Sequence, residues 1–434
     1  MLRIYKRIRQ TLTHSLLAVA ATSPMVLAQG LGNSPYSAQG VGELYSPGNI
    51  TNMGMGDVGI SNSNPFYLNL QNPALLARRT RFTVFEVGLV GQSKTISQNI
   101  SNDLKSQSNF AGNLGYLALS FPANSRWNIS LSLKPYTYVN YNIQRVEAVP
   151  GTPYYAEYNY TGKGGLNKAT FANGFRVTKN IYLGAEASFL FGNITNSSDA
   201  RAIVSTSDIR VTHLNRANYS DIVAKVGAAW RPKLNDTWTL NFGATYDPKI
   251  RIKATQTDIY QKTSLSGQAI ATPDTLRLNS NAQATLPQQM HFGASIERGN
   301  TLLFGVDVGF QKWSEYRTAD NKAGNLVDAM TAAAGLEYTP KPTSNRYRDL
   351  ITYRAGFQYN NLPYVAANGV QLRDINGSLG ISVPLGAYYV NHVTLSIAAG
   401  QRGVLSGTQI KEQYVRFGLG FSLNDLWFRK SVID

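Results

Sequence analysis

Cysteine is absent from this chain, histidine occurs four times in 434 residues, and no run of apolar residues is long enough to cross a bilayer as a helix. Without cysteine there are no disulfide staples and no thiolate metal centres. A membrane helix needs about 20 consecutive apolar residues, so any membrane protein built from this sequence must be built from strands. Scarce histidine leaves catalysis little to stand on. His14 falls in the leader, His213 in a predicted loop, and His291 and His392 near strand ends, neither followed two residues later by a serine that would share its face. A phosphate-cradling glycine loop, a nucleophile elbow and a His/Cys metal cluster are all missing. The sequence reads as a non-enzyme with no cofactor and no metal.

Charge is also informative by its distribution. The formal net charge is +16, yet the basic residues are dispersed rather than gathered on one stretch. Nucleic acid is therefore not the expected partner. Charged loops facing the phosphates of outer-membrane lipid and lipopolysaccharide account for the same excess. Four of the basic residues, Arg3, Lys6, Arg7 and Arg9, precede the apolar run Leu16–Ala21 and the small-residue site at Val26-Leu27-Ala28. That arrangement predicts a secretory signal peptide over residues 1–28, cleaved before Gln29.

What the chain has in quantity is alternation. In Leu302, Phe304, Val306, Val308 and Phe310, set against Leu303, Gly305, Asp307 and Gly309, every second side chain is large and apolar. A strand places such a set on one face. The same period runs through Trp238–Tyr246 and Val415–Leu423. Fourteen segments follow it: 80–97, 110–121, 127–145, 160–177, 181–194, 219–230, 238–252, 284–296, 301–316, 326–339, 350–359, 371–383, 393–404 and 411–423. A soluble sandwich would alternate too, so the connectors decide. Residues 122–126, 178–180, 232–236 and 298–300 are tight, whereas 146–159, 195–217 and 253–283 are long and polar. Short turns at one end and long loops at the other are the asymmetry of outer-membrane barrels. The connector from Thr339 to Asp349 is longer than this rule predicts.

The expected fold is all-β, a transmembrane antiparallel β-barrel of about 14 strands over residues 80–434, placed in the outer membrane of a Gram-negative bacterium. Trp127, Trp230, Trp238 and Trp427 fall at short-turn ends and Trp313 near a loop end, positions that suit interfacial aromatics. If Val306 faces lipid, Asp307 faces the lumen. By the same parity so do Lys134, Glu186, Lys225, His291, Arg354 and Arg416, either lining a passage or pairing across it. Charges on the lipid face would cost about 2–4 kcal/mol each at mid-depth.

Residues 29–79 precede the first strand and neither alternate nor look helical. They are rich in glycine, including Gly54, Gly56 and Gly59, and carry Met53, Met55, Val58, Ile60, Leu68, Leu75 and Leu76, too apolar a set for a disordered tail. A barrel of this size has a lumen to fill, so the segment is expected to plug it. The stretch Met53-Gly54-Met55-Gly56-Asp57-Val58-Gly59-Ile60, followed by Asn72-Pro73-Ala74-Leu75-Leu76, resembles the hatch of the FadL/TodX family. That resemblance implies a 14-stranded outer-membrane barrel for long-chain fatty acids or other hydrophobic compounds, with Asn72, Pro73 and Ala74 as the hatch motif. It also implies passage of ligand through the wall at a kinked strand. One departure is that Trp427-Phe428 is followed by six further residues, whereas many such barrels close on a terminal aromatic. Transport of a hydrophobic ligand through a hatch-gated lumen is the leading expectation. The alternative is a non-transporting structural, plug or adaptor subunit with an envelope protein partner, of the kind found in the type 9 secretion system.

Overall fold

In the computed structural model, the described residues are 30–45, 48–79, 82–100, 103–204, 209–265, 268–366, 369–386, 390–405 and 409–425. The predicted leader and Trp427 lie outside them. Fourteen antiparallel strands follow one another around the wall: β1 (Thr83–Ile100), β2 (Asp103–Asn124), β3 (Trp127–Ala148), β4 (Tyr155–Arg176), β5 (Ile181–Ile203) and β6 (Arg210–Trp230) come first. Two bent strands follow, β7 (Trp238–Asp247 and Ile250–Thr263) and β8 (Asp274–Leu286 and Gln289–Arg298). The circuit ends with β9 (Leu302–Gln311), β10 (Ala329–Tyr338), β11 (Thr352–Val365), β12 (Gln371–Leu385), β13 (Asn391–Arg402) and β14 (Ile410–Asp425). β14 pairs with β1 from Ile410↔Gln98 to Asp425↔Thr83, so the sheet closes on itself. Closure satisfies the backbone that lipid cannot.

The two faces of the wall follow the alternation. Phe304, Val306, Val308 and Phe310 are exposed on the outside, while Leu303 and Asp307, of the alternate parity, are buried. An apolar surface of this extent, wrapped around a closed barrel, is the signature of contact with hydrocarbon.

Three expected loops turn out shorter, because the strands continue through them. β5 runs to Ile203 and β6 starts at Arg210, with polar pairs such as Asn196↔Asn215 and Asp199↔Thr212 in unbroken register. Likewise β3 and β4 pair as far as Ala148↔Tyr155. Apolar alternation stops where lipid stops, whereas the ladder needs only backbone and continues into water. The long connector after β10 folds on itself: it carries a turn of 3₁₀ helix at Tyr347–Leu350, Ser344 donates to the Asp349 carboxylate at 2.7 Å, and the Tyr347 hydroxyl donates to the Pro384 carbonyl at 2.7 Å.

Candidate functional site: a seam in the wall and the segment beneath it

Among the described residues, the longest stretch of wall without ladder pairs lies between β2 and β3. β2 and β3 pair from the turn at Asn124↔Trp127 only as far as Leu117↔Leu133; beyond that no ladder pair joins them among the described residues. β2 stays with β1 up to Ile100↔Asp103, and β3 stays with β4 up to Ala148↔Tyr155, so the two strands part like a seam. The local sequence explains where. Pro135 has no N–H to give a ladder, and a bulge follows it between Pro135 and Thr137. Just past that bulge, Gly165 (φ +150°) and Gly164 (φ +118°) face Tyr138 and Val139, and opposite Leu166, on β5, stands Gly192 (φ +150°). A side chain on Gly165 would come within 2.3 Å of the Thr137 carbonyl oxygen. The bend thus crosses three neighbouring strands along one line.

The N-terminal segment occupies the edge that β3 loses. Glu43–Leu44 forms a two-residue antiparallel strand against it, with Glu43↔Tyr138 and Leu44↔Thr137 in register. Ser34 N–H donates to the Asn140 carbonyl at 2.8 Å, Asn140 N–H to the Ser37 hydroxyl at 3.0 Å, and Tyr45 N–H to the Tyr136 carbonyl at 2.9 Å. On the β1–β2 side, Gln92 donates to the Leu31 carbonyl at 2.8 Å. Residues 31–45 therefore bridge the seam from inside.

A buried charge network fixes this bridge. Glu43 accepts from Arg402 at 2.6 Å and lies 3.6 Å from Lys94; Lys94 also meets Glu412 at 3.4 Å, and Arg402 meets Asp374 at 3.1 Å. Lys94, Asp374, Arg402 and Glu412 were not among the lumen candidates expected from sequence. They obey the same inward parity, but three of them stand near the outer ends of their segments, where neighbouring apolar residues no longer mark the period.

Farther along, the segment fits the wall by close backbone approach. Asn72 caps the 3₁₀ turn Pro73–Arg78, accepting from Ala74 N–H at 3.1 Å and donating to the carbonyls of Ile60 at 2.9 Å and Ala228 at 3.1 Å. A side chain at Gly184 of the wall would come within 2.3 Å of Ala74 N, and one at Gly54 within 2.9 Å of Gly380 Cα. Gly56 has φ +69° and a side chain there would lie 2.7 Å from the Phe357 carbonyl oxygen; Gly59 is wedged against Gln71. Asp307 accepts from the N–H groups of Gly59 at 2.7 Å and Ile60 at 2.9 Å.

The remaining inward candidates form two groups. Arg354 donates to Glu337 at 2.7 Å and lies over the Tyr67 ring at 4.5 Å, and Arg416 donates to Gln92 at 3.0 Å. Lys134, Lys225 and His291 border a cavity of about 230 Å³. Lys225 stands 3.7 Å from Asp247, and Glu186, just beneath, is 3.4 Å from Lys168. Leu190, Val223 and Leu286 add an apolar patch to its lining, beside the charged residues. These three belong to a buried cluster around Trp313, Tyr316 and Tyr364 that fills the bore toward its long-loop end.

Trp313 therefore departs from expectation. It is 2% exposed and packs against Tyr316 with ring centroids 6.0 Å apart, because the chain after β9 turns into the bore as a 3₁₀ turn. Trp127 stacks on Phe175 and donates to Asn173 at 3.0 Å, Trp230 stacks on Phe242, and Trp238 lies under the Arg298 guanidinium, all at the short-turn end.

Outside, beside the closed foot of the seam, lies a groove of about 550 Å³ with an almost wholly apolar surface, formed by Phe85, Leu117, Leu131, Leu133, Phe171 and Phe189 among others. A closed barrel of this strand number with a filled bore is the FadL/TodX fold. The CymD monoaromatic hydrocarbon channel superposes with TM-score 0.55 at 12% identity, covering 88% of this chain and 98% of that one. The Ralstonia pickettii toluene transporter TbuX gives 0.52 at 14% (87% and 98%), and a Pseudomonas aeruginosa FadL homologue 0.52 at 16% (89% and 98%). The family model described as BamG matches residues 8–434, and the chain belongs to the BamG family. No curated protein matches it.

Proposed function

We propose that this barrel sits in the outer membrane of a Gram-negative bacterium and passes a hydrophobic small molecule, of long-chain fatty-acid or monoaromatic type, sideways through the β2–β3 seam, with residues 31–45 as the gate. The observation that carries this reading is the coincidence of an unpaired stretch of wall, an apolar lipid-facing groove at its foot and an N-terminal segment lying across it on the inside. The fold shared with hydrocarbon channels supports the same substrate class. The inner cavity of about 230 Å³, with charged and apolar residues in its lining, is smaller than the roughly 300–1,000 Å³ typical of ligand sites. A ligand must therefore displace the segment to enter, which makes residues 31–45 a gate rather than a fixed floor.

A disulfide lock tests it. Leu44 and Thr137 are register partners, a placement whose Cα separation of about 4.5–5.5 Å a disulfide spans, and the chain has no native cysteine to interfere. In cells expressing Leu44→Cys/Thr137→Cys, accumulation of labelled fatty acid or toluene should fall to background when oxidised and recover on reduction. Unchanged accumulation of both probes in the locked state would refute the gate.

A second reading, an adaptor subunit that binds an envelope protein, draws on β2 itself. Leu104 and Phe110 are 56% and 72% exposed on the part of β2 that has left β3. Its test is whether Phe110→Asp releases a partner that co-purifies in stoichiometric amount.

A further inference from the structure

A concavity of about 890 Å³ lies outside the seam and away from the cavity beneath it. It lies on β6, β7 and β8 where two of these strands bend together, β7 at Pro248 and β8 at Pro287. Below the bend, the outward residues are apolar in every strand: Val226 and Ala228, Phe242, Ala244 and Tyr246, Met290 and Phe292. Above it, the same outward face becomes polar at once on β7 and β8, and on β6 beyond Ile222, at Ser220 and Asn218. Asn218, Thr255 and Asn281 stand in one row, Lys253 and Gln283 in the next, and Arg251 and Thr285 in the last. The change from hydrocarbon-facing to water-facing chemistry happens at the bend itself, so the groove opens at the level of lipid headgroups.

We infer that this groove is a binding site for the phosphorylated saccharide headgroup of an outer-leaflet lipid. Its chemistry is particular to that class. Arg251 and Lys253 project from one strand, two residues apart, and neither forms a salt bridge among the described residues; a guanidinium fork and an ammonium are the usual partners of a phosphate. Amides and hydroxyls from Asn218, Ser220, Thr255, Asn281 and Gln283 supply both donors and acceptors, as sugar hydroxyls require. The acidic groups nearby are already engaged. Asp320 pairs with Arg277 at the rim, and Asp221 accepts the backbone N–H of Lys253 at 2.9 Å, bracing the bend. Acyl chains of a lipid seated there would lie directly against Val226, Phe242 and Phe292. The site is independent of transport, since it faces away from the seam and the bore.

Native mass spectrometry of detergent-extracted protein mixed with diphosphorylated lipid A, or with phosphatidylethanolamine, tests the proposal. Wild type should retain lipid A, and Arg251→Gln/Lys253→Gln should retain it at least about tenfold less, the loss expected when charge-assisted contacts go. Lys341→Gln/Arg346→Gln, at the opposite end of the barrel, should behave as wild type. Equal retention by the groove variant would overturn the inference, as would displacement of the lipid by millimolar inorganic phosphate, which would mark a small-anion site instead. Unchanged heat-modifiable migration shows that the variants remain folded barrels.

Discussion

Asp307 and Val306 are neighbours in sequence and belong to different surroundings. Val306 meets hydrocarbon, so Val306→Arg should cost the barrel about 2–4 kcal/mol, seen as a lower unfolding midpoint. Asp307 holds two backbone N–H groups of the inner segment. Asp307→Leu should leave barrel unfolding nearly unchanged yet orphan both donors, at about 1–3 kcal/mol each, and expose residues 48–79 to protease. The reverse ranking of these variants on barrel stability would mean the wall is inside out. Glu43 gives the pH dependence. Burial works against its ionisation, but Arg402 and Lys94 outweigh burial and hold the carboxyl down to about 2. A carboxyl depressed in the folded state stabilises fully above its unfolded value of about 4.3, and that contribution disappears as pH falls toward 2. Pepsin cleavage within residues 31–45 should therefore rise between about pH 4 and pH 2. Glu43→Gln should be susceptible already at pH 4, and a pH-independent wild type would rule the latch out.

At the scale of elements, the seam depends on a bend that three strands make together. Gly164, Gly165 and Gly192 take backbone angles that other residues adopt only under strain. Gly165→Ala should cost about 1–3 kcal/mol and disturb pairing around Thr137, where the gate docks. The check is proteolysis of residues 31–45 in folded barrels. Protection equal to wild type would show that the bend is not what seats the gate. The bend at Pro248 and Pro287 is of a different kind, two prolines on paired strands turning the wall together, and it makes a groove rather than a gap.

For the whole molecule, the bore is filled twice over, by the N-terminal segment and by the apolar cluster around Trp313 and Tyr364. Deleting residues 30–76 removes the first filling and its hydrogen bonds to the wall, including the short pairing with β3, while the strand-to-strand pairs that join β1 to β14 in a ring remain. The barrel should still insert and its single-channel conductance in planar bilayers should rise. If conductance stayed at the wild-type level, the outer cluster alone would be the seal.

Much of this was legible in the sequence, and for one physical reason. A strand in lipid must show hydrocarbon on one face, so alternation in stretches such as Leu302–Phe310 revealed strand, face and inward residues together. Asp307, Arg354 and Arg416 followed from parity alone. What parity could not give was the continuation of β5 and β6 into water, where no lipid imposes a period. Nor could it place Trp313, whose burial depends on a chain reversal into the bore.

The sequence by itself determined that the chain is a barrel and which side of each strand meets the bilayer, because those are local consequences of solvent. Only the tertiary structure decided where the wall comes apart, what lies across the gap and which buried charges meet. Pro135, Gly165, Glu43 and Arg402 are far apart along the chain, and nothing in their own neighbourhoods fixes the contacts they make once fourteen strands have closed into a ring.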